Sequence, residues 1–172
     1  MTTGTIPEIK TERLILRQMR DDDAPHLFEF FQDPKTSQFW FTPDKTLAET
    51  YARVIRLTKE WTKNGFGDWA IVDGESEKLI GFAGLHYIPG MEEVNLGYLL
   101  AHSCWGRGYG TEACLAVVRF GFDVVELKQI IGVTHPNNLA SIRVLEKVGM
   151  TFWKEIVRSG APRVVYSRRR TV

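Results

Sequence analysis

Three glycines at every second position, Gly106, Gly108 and Gly110, fill the run from Cys104 to Ala113. A strand-like stretch, Val94 to Leu100, precedes them, and a helix-like stretch, Cys114 to Val125, follows. Glycine lets a ligand come close to the backbone and reaches torsions closed to other residues. The first turn of the following helix has amides without partners inside the helix, and the positive end of its dipole favours an anion. Together these features describe an anion site suited to phosphate, with Arg107 as an added charged donor. The bland alternative is a tight connection that binds nothing, but such a turn needs only one or two glycines.

Two common phosphate ligands fit poorly. No Gly-Lys-Ser/Thr run exists to make a nucleotide-triphosphate loop. In the dinucleotide pattern Thr111 stands where the third small residue belongs, and the next strand ends in Thr134-His135-Pro136, with no acid for a ribose.

Other residues with chemical potential surround this turn. Asn138 and Ser141 lie one helical turn apart and face the same way, and the bland reading is a helix N-cap followed by a surface serine. Glu93 and Asn95 share one face of a strand, whereas Glu92 faces the other. His86 and His135 titrate near neutral pH, although a lone histidine is more often structural. Phe39-Trp40-Phe41 is a concentrated aromatic patch, either a loop folded over the core or the wall of a pocket.

A chain of 172 residues suits one domain with a sizeable core. Hydrophobic content of 44% and charged content of 25% are ordinary for a globular protein. A net charge of +1 argues for neither nucleic acid nor an anionic membrane as partner. The two cysteines, Cys104 and Cys114, form no disulfide framework or zinc pattern, and no metal site is expected. Met1 to Lys10 is polar, without a signal-peptide core, and is expected to be loose. No run approaches the length of a membrane span, so a cytoplasmic location is expected.

Periodicity supplies the elements that must hold these residues. A first strand is expected over about Arg13–Met19, then a helix with Asp21–Asp23 as cap and first-turn acids, ending near Asp33-Pro34. Lys35–Asp44 is expected to be loop. Thr46–Lys63 is a helix opened by a Thr46/Glu49 capping box and ended by Asn64-Gly65. Strands follow at Asp68–Asp73, Leu79–Ile88 and Glu93–Leu100, then a largely apolar helix from Tyr109 to about Val125. The last elements are a strand at Gln129–Thr134, a helix at Asn138–Lys147 and a hairpin of Thr151–Val157 with Pro162–Arg169. The fold class is α+β, with one mixed, mostly antiparallel sheet flanked by helices and all 172 residues in one domain.

The glycine turn, Asn95-Leu-Gly-Tyr98, Asn138-Leu-Ala-Ser141 and the opening Thr11-Glu-Arg-Leu-Ile-Leu-Arg17 resemble, in that order, the GCN5-related N-acetyltransferases (GNAT) and within them the RimJ/RimL-like branch. The resemblance covers roughly residues 10–170. It implies the GNAT acyltransferase fold, in which two parallel strands splay and acetyl-CoA enters the gap. Here those strands are Val94–Leu100 and Gln129–Thr134. By resemblance the pantetheine arm pairs with backbone near Tyr98, Leu99 and Leu100, an ordinary strand-addition mode. The pyrophosphate rests on the amides of Arg107, Gly108, Tyr109, Gly110 and Thr111. Trp105 stands where the family often has Gln or Arg, which removes a side-chain donor but no amide.

The resemblance also implies roles in catalysis. Asn138 contacts the cofactor, and Ser141 sits near the sulfur to protonate the leaving thiolate. The usual base, a glutamate before the Leu-Gly-Tyr, is replaced by Asn95, which can orient a water or the amine but cannot take the proton. Glu93, on the same face, is the substitute base acting through water. His86 and His135 are further options, and an α-amine of pKa near 8 needs little help. The expected protein is an acetyl-CoA-dependent N-acetyltransferase, monomer or homodimer. Its acceptor is a protein N-terminal α-amine or a small amine. The alternatives are a non-catalytic acyl-CoA-binding or sensing domain of the same fold, and an unrelated enzyme of a phosphate ligand.

Overall fold

The computed structural model describes residues 5–171. Strands β3 (Asp68–Asp73) and β4 (Leu79–Tyr87) are almost continuously buried rather than alternating, which requires cover on both faces. One cover is α4 (Tyr109–Asp123), whose Ala113, Cys114, Val117 and Val118 pack with Leu14, Leu16, Ile71 and Leu85. The other is α1 (Ala24–Gln32) with α3 (Leu47–Asn64). Leu27, Phe31 and Val54 meet Ala70, Phe82 and Leu99 there. Trp69 packs edge-on between Trp61 and Phe120, with ring centroids 4.5 and 5.0 Å away.

The sheet is completed by β1 (Ile9–Lys10), β2 (Leu14–Arg17), β5 (Val94–Leu100), β6 (Gln129–Thr134), β7 (Thr151–Arg158) and β8 (Ala161–Arg169). The order is β1-β2-β3-β4-β5-β6-β8-β7, and every neighbouring pair is antiparallel except β5 with β6. That one parallel pairing holds only at Val94 with Ile130 and Asn95 with Ile131. Beyond those pairs the strands part. The helix α5 (Leu139–Lys147) follows β6 and packs across the gap against α4. Among the described residues, no helix is long and apolar enough to cross a membrane.

Three expectations need correction. Met1–Gly4 lie outside the described residues, but the rest of the segment expected to be loose is held. Ile9 and Lys10 pair with β2, and the Trp69 indole donates to the Pro7 carbonyl at 2.7 Å. Ile6 and Ile9 give that segment apolar surface to bury. Pro34–Ser37 forms a short helix, α2, in place of loop, because Asp33 accepts from the Lys35 and Thr36 amides. Asp23 does not cap α1. Its carboxylate is buried in a two-pronged pair with Arg17 (2.7 and 2.8 Å) and accepts the Arg20 amide.

Gly84 sits opposite Asp68 in the β3–β4 ladder, where an added Cβ would collide with the Asp68 Cα and the Gly67 carbonyl. Gly84→Ala is therefore expected to cost about 1–3 kcal/mol through overpacking, or roughly 3–10 °C in Tm. Thermal denaturation checks it, and an unchanged midpoint would contradict so close an approach.

Candidate active site

The glycine turn is built by its φ angles and by a clamp from a distant strand. Gly106 and Gly108 take φ of +72° and +79°, the left-handed region that favours glycine. Gly110 backs onto Tyr98, Leu100 and Val144. Arg13 donates from Nη1 to the Arg107 carbonyl at 2.8 Å. It also donates from its amide and Nε to Glu112, which Thr11 joins. This pairing answers a carboxylate in the first turn of α4 that would otherwise repel an anion. The Tyr109 ring lies against the Arg13 and Arg107 guanidinium groups, and its hydroxyl donates to Asp73 at 2.9 Å. The side chain of Tyr109 is thus turned away. The amides from Gly106 to Thr111 have no protein acceptor among the described residues.

The parted edge of β5 faces this turn. The Leu99 carbonyl points at Gly81 on β4. By alternation Tyr98 and Leu100 present their backbone groups to the gap, whereas those of Leu99 are spent on the sheet. The Leu100 carbonyl already accepts from the Trp105 indole at 2.9 Å. Trp105 is therefore a strut between the strand end and the turn, a role its sequence position did not signal.

Across the gap, Asn138 is the N-cap of α5 and accepts the Ser141 amide at 3.2 Å. The Ser141 hydroxyl lies beside the Tyr98 phenol, whose pKa is pushed up by burial and by Cys114, with Ser141 pulling the other way. Two cavities meet here. One, of about 320 Å³, runs from the glycine turn along α5. The other, of about 400 Å³, opens over β4, β5 and the tip of the β7–β8 hairpin. They share Phe39, Trp40, Tyr98, Asn138 and Ser141. The aromatic patch plays both parts expected of it. Trp40 packs on Phe31 and Phe82 in the core, while Phe39 stacks on His135 at the cavity wall.

In the second cavity Asn95 is buried and committed at both ends. Its Oδ1 accepts the Val133 amide at 3.1 Å, so its Nδ2 must donate to His86 Nε2, also at 3.1 Å. Asn95 thereby bridges the two strands just where they part, with both ends of its amide spent. The contact fixes the neutral tautomer of His86 with its proton on Nδ1, 3.7 Å from Asp68. Burial raises the pKa of Asp68, opposed chiefly by His86. The other histidine is also engaged, since His135 Nδ1 accepts the Asn137 amide at 3.1 Å. Glu93 lies at the bend before β5 and lines neither cavity. The structure brings together Ser141, Asn138, Tyr98 and the glycine turn, sets Asn95 behind them, and leaves Glu93 aside. The Tyr98 hydroxyl and the Arg13 clamp were missed from sequence. Tyr98 drew notice only for its backbone, and Arg13 only as part of a strand.

Two tests follow from these contacts. Asn95→Leu orphans the Val133 amide and is expected to lower stability by about 1–3 kcal/mol. Asn95→Asp keeps an oxygen for the Val133 amide and is expected to restore part of that loss, read by thermal denaturation. The Asp73 carboxyl is held down to about 2, first by Ser76 and then by Tyr109, against an ordinary 3.8. A depressed native pKa stabilises the fold above the unfolded value and loses that effect as pH falls through the native one. The contribution is thus complete above about pH 4 and gone below about pH 2, and Asp73→Asn should flatten the Tm profile across that window.

Comparisons with known proteins agree with this fold. The family description "Acetyltransferase (GNAT) domain" matches residues 13–151. A Bacillus subtilis protein, YkkB, is 31% identical over 94% of this chain and 95% of its own. The crystal structure of an acetyltransferase from Agrobacterium tumefaciens superposes with a TM-score of 0.86 at 29% identity, covering 99% of this chain and 98% of that one. RimL, a ribosomal-protein α-N-acetyltransferase solved with coenzyme A, shares the fold at 18% identity and a TM-score of 0.81, covering 95% and 98%. The family match over most of the sequence, on a sheet that opens between β5 and β6, makes this chain a member of the GNAT family of N-acetyltransferases.

Proposed function

We propose that the protein transfers the acetyl group of acetyl-CoA to a primary amine by direct attack in a ternary complex. The observation that carries this reading is the meeting of two cavities at Tyr98 and Ser141. The first ends at free amides and a helix N-terminus that suit the pyrophosphate, and it passes the Tyr98 and Leu100 backbone edge that suits the pantetheine arm. The bound coenzyme A of RimL, a protein of the same fold, supports that cofactor. The second cavity then receives the amine.

The amine nitrogen attacks the thioester carbonyl carbon, the carbon–sulfur bond breaks, and the thiolate takes a proton. The Ser141 and Tyr98 hydroxyls stand at the junction to deliver it, and they regain one from the nitrogen as the amide forms. Burial keeps the phenol protonated, as a donor must be. With one nitrogen of His86 and one of His135 held by Asn95 and Asn137, the acceptor best suited is an amine already partly neutral. An α-amine with pKa near 8 meets that need and a lysine side chain does not. The RimL name points to the same class of amine, on a protein.

Thermal shift with acetyl-CoA, CoA, NAD and ATP, followed by thiol release with an amine panel, tests this function. A midpoint raised by acetyl-CoA and CoA alone, with turnover of α-amines, is expected. Ser141→Ala and Tyr98→Phe should each lower kcat by about 10²-fold or more, with a double variant little worse than the singles. Binding of CoA without turnover of any amine would leave a non-catalytic acyl-CoA-binding domain, and no shift with CoA would overturn the cofactor assignment.

A further inference from the structure

The wall of the second cavity has an imbalance of charge that bears on what the acceptor carries besides its amine. Arg53 is answered by Asp44 through two contacts of 2.7 and 2.8 Å. Arg56 on α3 has Glu60 one helical turn further on, also in the wall. Asp68 is pushed toward its neutral form by burial. Arg158 and Arg163 are different. They line the cavity, both are half-buried, and among the described residues no carboxylate lies within ion-pair reach of either. Among the described residues the Arg158 side chain donates to the Pro89 carbonyl alone, at 2.9 Å, and the Arg163 side chain to the Pro162 carbonyl alone, at 2.7 Å.

The hairpin holds the two guanidinium groups in place. Ser159 and Gly160 both have positive φ, the two-residue turn that matches strand twist. Ile156 pairs with Arg163 and Arg158 with Ala161, so the arginines are diagonal neighbours on one face. The Phe41 ring lies under both, 5.6 Å from Arg158 and 5.0 Å from Arg163. Stacking on an aromatic face leaves the edge of a guanidinium, with its N–H donors, free to grip an oxyanion. A guanidinium that is half-desolvated and lacks a counterion gains most from an anionic ligand.

We infer that the acceptor is an amine bearing an oxyanion, carboxylate or phosphate, which Arg158 and Arg163 hold while the amine reaches Tyr98 and Ser141. Turnover in this scheme rests on the acetyl-transfer reading, but the recognition does not. A polycationic amine is the acceptor this wall disfavours.

The test uses peptide amides, whose blocked C-termini carry no carboxylate, so that the side chains alone set the charge: Ala-Glu-Glu, Ala-Gln-Gln and Ala-Lys-Lys amides, with Ala-phosphoserine amide as the phosphate arm. Calorimetry on the CoA-loaded protein gives Kd, and thiol release with acetyl-CoA gives kcat/KM. The acidic peptides should bind at least about tenfold tighter than Ala-Gln-Gln, with Ala-Lys-Lys weakest, and the ratio should shrink as salt is raised. Whichever acidic peptide binds tighter identifies the oxyanion. R163Q and R158Q should each bring the ratio toward one, and R163K should restore part of it. R119Q, which removes the same charge from the far side of α4, should leave it unchanged. Tighter binding of Ala-Lys-Lys, a ratio that survives both glutamine variants, or no binding of any peptide overturns the inference. Equal turnover of all charges overturns it while acetyl transfer stands. An acidic preference in binding with no turnover sustains it while acetyl transfer falls.

Discussion

The parting of β5 from β6 after Asn95 and Ile131 is the constraint on which the site depends. A sheet that stayed paired would have neither a free backbone edge at Tyr98 and Leu100 nor a gap for a ligand to enter. Opening a sheet costs ladder hydrogen bonds, and each buried amide left behind must find another partner. Asn95 meets part of that cost. Its side-chain carbonyl takes the Val133 amide that the parted ladder no longer serves, and His86 with Asp68 holds the amide group in that orientation. Seen this way, the polar chain in the second cavity is the hinge pin of the opening.

The two sides of the gap are furnished by different physics. On the glycine side, selectivity comes from backbone. Side chains there are tied down by Arg13, Glu112 and Asp73, which leaves the amides without a protein partner. On the other side, aromatic rings and guanidinium groups make the wall, and they come from segments distant in sequence, the Phe39–Phe41 stretch and the β7–β8 hairpin. The first surface suits one invariant ligand. The second can be changed one side chain at a time without disturbing the sheet, because it hangs from loops and a hairpin tip.

Most of the architecture was legible because its signals are local. Apolar runs, glycine and proline punctuation and the Thr46 cap placed the long helices and seven of the strands close to where they lie. The left-handed torsions and free amides of the glycine turn were legible because they belong to one continuous stretch. What was not legible depends on contacts between distant residues. Asp23 in a first helical turn reads as a cap, yet Arg17 on the neighbouring strand captures it. Asn95 reads as a residue that orients a water or the amine, yet its partners, His86 and Val133, lie 9 and 38 residues away. The two-residue strand Ile9–Lys10 is too short to show a period, and only its pairing with β2 defines it.

The strand order at the far side of the sheet bears on how the chain is made. Because β8 lies between β6 and β7, the open edge of β6 is covered only by the last strand of the sequence. As the chain emerges from the ribosome, β1 to β5 can assemble with their neighbours in turn. β6, with its run of buried isoleucines, must wait until residue 169 has been synthesised. Until then an apolar edge stands exposed beside a gap that is open by design. The nascent protein is therefore most open to mispairing in the interval after α5 emerges, and the arrival of β8, rather than collapse of the core, completes the sheet.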